Sequence, residues 1–189
     1  MSMTSNPLTE EIKALIGMTA EKVEASPPWG IDREGLRIFT NAMMDPDPRY
    51  WDDDFAKTTR FAGIVAPPIY CSYIGRKTLA GTDDPITQAF HENPTCDGID
   101  GVRDGGADQK GALPPVPTPL KRILNAGNEI EIYKYPVLGD RIYSQAKYSQ
   151  IEGRITKDGT PMLVVTVQRT YTNQNHELLC ILRASSILR

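Results

Sequence analysis

Residues 157–177 read KDGTPMLVVTVQRTYTNQNHE, an apolar run held between two turn signals. Lys157-Asp158-Gly159 marks a tight hairpin, because Asp and Gly accept the positive φ values that such turns demand. Asn173 to Glu177 marks the next reversal. Between them the chain is apolar on both faces from Val164 to Val167, which suits a strand in the middle of a sheet rather than at its rim. Working outward, LLCILRASSIL (178–188) is a further strand on the C-terminal side. On the N-terminal side, PVLGDRIYSQAKYSQIE (136–152) is another, with Gly139-Asp140 as the turn at its start. Before it, NEIEIYKY (128–135) alternates Ile130 and Ile132 against Glu129, Glu131 and Tyr133, and the β character begins near Ile123.

The first 80 residues are different. Residues 8–16 suit a short helix with Thr9 as N-cap, and Asp32 caps a second, 33–44, with Leu36, Phe39 and Met43 on one face. Asp45, Pro46 and Pro48 stop that helix. SPPWG (26–30) is a loop or edge-strand signal, and RYWDDDFA (49–56) suits one further helical turn. After Pro67-Pro68 comes IYCSYIGRKTLA, a largely apolar run of helical length. Prolines in a first turn give up only N–H groups that lack intrahelical partners, so this run is the candidate for a buried central helix. Helices followed by consecutive antiparallel strands predict an α+β fold, a sheet wrapped around one long apolar helix. Residues 81–119 are rich in Gly, Pro and acidic residues and show no apolar period; they read as a long irregular insertion. No repeat and no linker divides the chain, so 1–189 is expected to be a single domain.

Composition narrows the function. With a net charge of −3 and no basic cluster, nucleic acid is a poor partner. The N-terminal MSMTSNPLTEEIKALIG lacks the cationic start and apolar core of a signal peptide or membrane span. Cys71, Cys96 and Cys180 are odd in number and far apart, which favours free thiols in a reducing cytoplasm over disulfides or zinc.

The densest chemistry lies in residues 43–68, MMDPDPRYWDDDFAKTTRFAGIVAPP, where Asp45, Asp47, Asp52, Asp53 and Asp54 fall within ten positions. Such hard oxygen ligands suit calcium or magnesium. The EF-hand spacing is absent, however, and three consecutive aspartates cannot all face one ion. Local physics favours a helix stop followed by an acidic turn at the positive end of a short helix. Elsewhere the candidates are sparse. His91 lies in the insertion, and His176 lies in a hairpin turn. Gly105-Gly106 has no preceding strand, and Cys180 alternates within a strand as a core residue. No GxSxG, HExxH or phosphate loop is present.

The stretch from Asp45 to Ala56 resembles the active-site signature of the MaoC-like hot-dog (R)-specific enoyl-CoA hydratases, D-x-N-P-x-H-x-D-x-x-Y-A. Asp45, Pro48, Asp52, an aromatic at Phe55 and Ala56 match, and Asp47 stands at the Asn position. GIVAPP then falls where those enzymes carry IVHG. NAGNEIEIYKYPVLGDRI (125–142) resembles the N-terminal, degenerate half of the same superfamily, which tends to read NAG-x-E followed by P-V-x-x-GD. The resemblance covers roughly 10–80 and 120–189. It implies a hot-dog fold of about five strands around the central helix.

It also implies what is missing. In the family an Asp/His dyad activates the water that adds to the enoyl double bond, and a backbone N–H at the start of the central helix polarises the thioester carbonyl. Here the His position is Tyr50, and a phenol of ordinary pKa near 10 is a poor base at neutral pH. The donor position is Pro67, which has no N–H. The resemblance therefore implies no catalytic residue in this chain and no cofactor beyond the coenzyme A thioester substrate. It implies instead a second MaoC-like hot-dog subunit that carries the intact motif, in a heterodimer or heterotetramer. Asp45, Tyr50, Asn125, Gly127 and Glu129 would line the substrate path, although Asn125 to Glu129 equally suit a turn or bulge. Two alternatives stay open: a hot-dog acyl-CoA thioesterase using Asp45 or Asp47 as base, and a non-catalytic acyl-CoA binding module.

Overall fold

The computed structural model describes residues 6–74, 90–95 and 110–189. Five strands form one antiparallel sheet: β1 (Val23–Glu24), β2 (Ile123–Ile132), β3 (Tyr143–Ile155), β4 (Pro161–Thr172) and β5 (Leu178–Leu188), in the order β1-β3-β4-β5-β2. The apolar run around Val165 is therefore the central strand, as its two-faced pattern predicts. Gly159 takes φ +84° in the first hairpin, where Thr156 donates its N–H to the Thr160 carbonyl at 2.9 Å. In the second, the Asn173 side chain accepts from the N–H groups of Asn175 (3.0 Å) and Glu177 (3.1 Å). That bonding lets His176 adopt φ +62°.

Among the described residues four short helices accompany the sheet: α1 (Glu10–Ala14), α2 (Arg33–Ala42), α3 (Asp53–Thr58) and α4 (Tyr70–Ile74). Thr9 and Asp32 cap α1 and α2, accepting from the Ile12 N–H at 3.3 Å and the Gly35 N–H at 2.8 Å. Leu36 and Phe39 are buried, but Met43 is 58% exposed. The helix ends at Ala42, and Met44 turns left-handed at φ +54°, so Met43 leaves the apolar face expected of it. The residues after Pro48 form two elements rather than one turn: a 3₁₀ turn, Pro48–Tyr50, and then α3. The expected central helix is described as α4; its continuation to residue 80, Cys96 and most of the 81–119 insertion lie outside the described residues.

The inner face of the sheet carries two separate apolar clusters. One joins Leu36, Phe39, Tyr70, Cys71 and Ile74 to Ile142, Tyr171, Leu179 and Cys180. The other joins Ile12 and Leu15 of the α1 region to Tyr148, Ile151, Leu163 and Val165. Gly30 ties the N-terminal loop to the β2–β3 turn. Its φ is +73°, and a Cβ there would stand 2.6 Å from the Asp140 carbonyl oxygen, so only glycine fits. Ile132, expected to alternate inward, is 50% exposed; β2 is an edge strand, with a neighbouring strand, β5, on one side alone to cover its side chains. No helix among the described residues is long and apolar enough to cross a membrane.

Candidate functional site

The five aspartates of the 45–54 stretch have five separate tasks. Asp45 accepts the Asp47 N–H at 3.1 Å. Asp47 caps the 3₁₀ turn through the Arg49 N–H at 3.0 Å and receives the Arg49 guanidinium on its other oxygen. Asp52 caps α3, accepting from Asp54 and Phe55, both at 3.0 Å. Asp53 pairs with Arg33 at 2.9 Å and Asp54 with Lys57 at 3.3 Å. No group of three or more metal-ligating side chains occurs among the described residues. The acidic run is thus spent on capping and ion pairs, which satisfy the orphan N–H groups of short helices.

Arg49 is the hub. Its guanidinium lies 5.6 Å from the Tyr50 ring centroid, 6.0 Å from Phe61 and 5.8 Å from Tyr135, a cation held among π faces. The bond to Arg49 holds the Asp47 carboxyl below the usual carboxylate range. Tyr50 is 7% exposed. Burial pushes its phenol above the ordinary value; Arg49 opposes that shift and Asp45 adds to it. The Tyr50 phenol is therefore even less ionised at neutral pH than a free tyrosine, so little phenolate is present to act as a base.

The chain leading to α4 offers few backbone donors. The Val65 N–H donates to the Arg49 carbonyl at 3.3 Å, and the Ala66 N–H to the Pro136 carbonyl at 2.8 Å. Pro67 and Pro68 have none to give. Their carbonyls accept instead, Pro67 from Tyr70 at 2.8 Å and Pro68 from Cys71 at 3.2 Å. Within the core, a hydrogen bond to Cys180 and burial push the Cys71 thiol up, and the Cys180 thiol reaches the Pro68 carbonyl at 3.6 Å. Both thiols are shielded, which agrees with Cys180 as a core residue.

Asn125, Gly127 and Glu129 do not join this site. Asp45 to Val65 abut the far end of β2 through the Val65–Val137 bridge, whereas Asn125 lies near the start of the strand. The seven steps from Asn125 to Ile132 span roughly 23 Å at about 3.3 Å each. Asn125 Oδ1 accepts the Gly127 N–H at 2.8 Å, the β2–β5 register shifts between them, and Gly127 takes φ +124°, so these residues form a β-bulge. Glu129 points to the outer face and pairs with Arg183 at 3.0 Å. Gly127 and Glu129 border a shallow outer cavity of about 450 Å³ together with Ser149, Thr166 and Ser185. The Arg49 hub was not anticipated; Arg49 and Phe61 stand close in sequence, but Tyr135 reaches them only through the fold.

Comparison with known proteins places this geometry. A 43-residue segment is 40% identical to a UPF0336 protein of Streptomyces avermitilis, covering 23% of this chain and 29% of that protein. The ChsH1-ChsH2 complex of Mycobacterium tuberculosis matches with a TM-score of 0.64 at 16% identity, over 95% of this chain and 89% of that one. The C-terminally truncated HadBC (3R-hydroxyacyl-ACP dehydratase) complex of the same organism matches with a TM-score of 0.55 at 14% identity, over 92% and 96%. The antiparallel sheet with its few helices is the hot-dog fold. The family model for the FAS1-like dehydratase domain region matches residues 14–182. With nearly the whole chain inside that match, the protein belongs to this MaoC-like dehydratase family.

Proposed function

We propose that this chain is the non-catalytic half of a heteromeric enoyl-CoA hydratase or 3-hydroxyacyl dehydratase. In this reading it shapes the acyl pocket while a second MaoC-like hot-dog subunit supplies the Asp/His dyad. One observation carries the reading: the buried Tyr50, its phenol raised by its surroundings, stands where the family places its base. The absence of N–H groups at Pro67 and Pro68 points the same way, since one oxyanion donor is typically worth about 100- to 1000-fold in rate. The sheet edges support a partner. β1 has only two residues, but β2 has ten and sits at the other rim of the sheet. An uncovered edge of that length is a template for pairing with another strand. Two of the similar folds come from complexes whose names give two subunits. A cytoplasmic location fits the free, buried thiols.

Steady-state hydration of enoyl-CoA esters tests this. The purified chain alone is expected to be inactive, also as Tyr50→His, because the new imidazole still lacks a carbonyl donor at Pro67. Combined with a hot-dog subunit carrying D-x-N-P-x-H, it is expected to turn over, and Tyr50→Phe in that complex is expected to keep most of the rate. Turnover on the order of 1 per second by the single chain, or its abolition by Tyr50→Phe in an assembled complex, would refute the proposal.

A further inference from the structure

The inner face of β4 presents Leu163, Val165, Val167, Arg169 and Tyr171 in succession, by the strand's two-residue period. Leu163, Val165 and Val167 belong with one apolar cluster and Tyr171 with the other. Arg169 stands between them, in the middle of the central strand and on the face that receives α4. A cation in that place is costly unless something solvates or pairs it. Among the described residues it makes no hydrogen bond, ion pair or ring contact and acts on the nearby Tyr148 phenol through charge alone, while every other arginine projecting from β3, β4 or β5 has a carboxylate partner. Instead it is exposed to a cavity of about 710 Å³. Directly opposite it stand Ala146 on β3 and Leu182 on β5; Ser144 lies two residues along on the same face, and Ala184 with Asn128 on the next rung, so most of its neighbours are small or short. Asn128 and Ser144 bring further polar groups to the lining, Cys71 and Leu182 apolar ones. The volume lies in the range of small-molecule sites, where a few convergent polar groups fix the ligand's orientation.

We propose that Arg169, with Asn128 and Ser144, binds an anionic oxygen group of an acyl thioester in this inner-face cavity. This rests on the acyl-thioester reading above and sharpens it to ligands with a negative charge that reaches the sheet. A guanidinium binds a carboxylate and a phosphate through the same fork of donors. The anion is therefore either a carboxylate on the acyl chain or a phosphate of coenzyme A.

Calorimetric titration of the full chain with three probes separates these sources: adipoyl-CoA, hexanoyl-CoA of matched length, and adipoyl-pantetheine, which keeps the carboxylate but lacks the phosphates. A charge-assisted bond of ordinary strength predicts about 10- to 100-fold weaker binding in Arg169→Gln, partly restored in Arg169→Lys, with the unfolding temperature not lowered. Loss confined to the two adipoyl probes assigns Arg169 to an acyl carboxylate. Loss confined to the two coenzyme A probes assigns it to a phosphate. Equal affinity of wild type and Arg169→Gln for every probe that binds overturns the proposal and leaves the acyl-thioester reading standing. If no thioester binds, that reading falls; adipate alone then decides the anion site, which holds if Arg169→Gln abolishes adipate binding and fails if it does not.

Discussion

The 45–56 loop and the floor of the inner cavity are both rich in polar groups, but they handle them in opposite ways. In the loop each of the five aspartates meets an N–H or a cation within the same protein, and Arg49 is enclosed by Asp47 and three rings. On the cavity floor, Arg169, Asn128 and Ser144 face open volume, and Arg169 has no partner among the described residues. The loop that resembles a catalytic motif is thus committed to holding the fold. The position that no motif marks is the one with binding capacity to spare.

This contrast can be broken most directly at Arg49. Arg49→Ala leaves Asp47, about a quarter exposed, without its cation and removes a charge from among three rings. Loss of a partly buried charged hydrogen bond together with cation–π contacts predicts about 2–3 kcal/mol of destabilisation, read from urea unfolding. A loss below about 0.5 kcal/mol would mean that the loop, too, is only decorated with charge.

Asp52→Ala comes next. Removal of a cap that serves two N–H groups of α3 is expected to cost about 1 kcal/mol, by the same unfolding measurement. The two sites are three residues apart, and the Asp52 N–H donates to the Pro48 carbonyl, so the double variant is expected to depart from simple addition.

The pH dependence sharpens the same point. Arg49 depresses the folded-state pKa of Asp47 below its unfolded value of about 3.9. Its contribution is therefore complete above that unfolded value and is lost as pH falls through the folded pKa. The stability gap between wild type and Arg49→Ala is expected to stay constant from about pH 5 to 7 and to shrink below about pH 4. A gap that stays level down to about pH 2 would assign the stabilisation to ring packing rather than to the ion pair.

The smallest expected effect is at Arg169. Without partners to lose, Arg169→Gln should change stability by no more than about 0.5 kcal/mol. A loss comparable to that at Arg49 would mean that the cavity floor is structural and would erase the contrast.

Much of the fold was legible in local sequence because it depends on near neighbours. The KDG and NQNHE turns, the caps at Thr9 and Asp32 and the two-faced apolar run of β4 all follow from chemistry within a few residues. The first two strands were harder. β1 is two residues long and carries no alternation of its own; its partner Ser144 is more than a hundred positions away. The edge position of β2 is likewise not written in NEIEIYKY. It is set by β5 pairing back with β2 on one side and β4 on the other, so Ile132 ends exposed despite its pattern.

The site divides along the same line. Sequence by itself determined the resemblance from Asp45 to Ala56, the presence of Tyr50 and Pro67 within and after it, and the wide spacing of the cysteines, because each is a matter of residue identity at a spacing. Only the tertiary structure decided that Asn125 to Glu129 form a bulge far from Tyr50, that Tyr135 closes the cage around Arg49, and that Arg169 lies between two apolar clusters. Period-2 counting from Leu163 puts Arg169 on the inner face. Whether an inward charge is satisfied depends on which side chains the neighbouring strands bring beside it. Here they bring Ala146, Ala184, Ser144 and Leu182, none of which carries a charge that could neutralise the guanidinium.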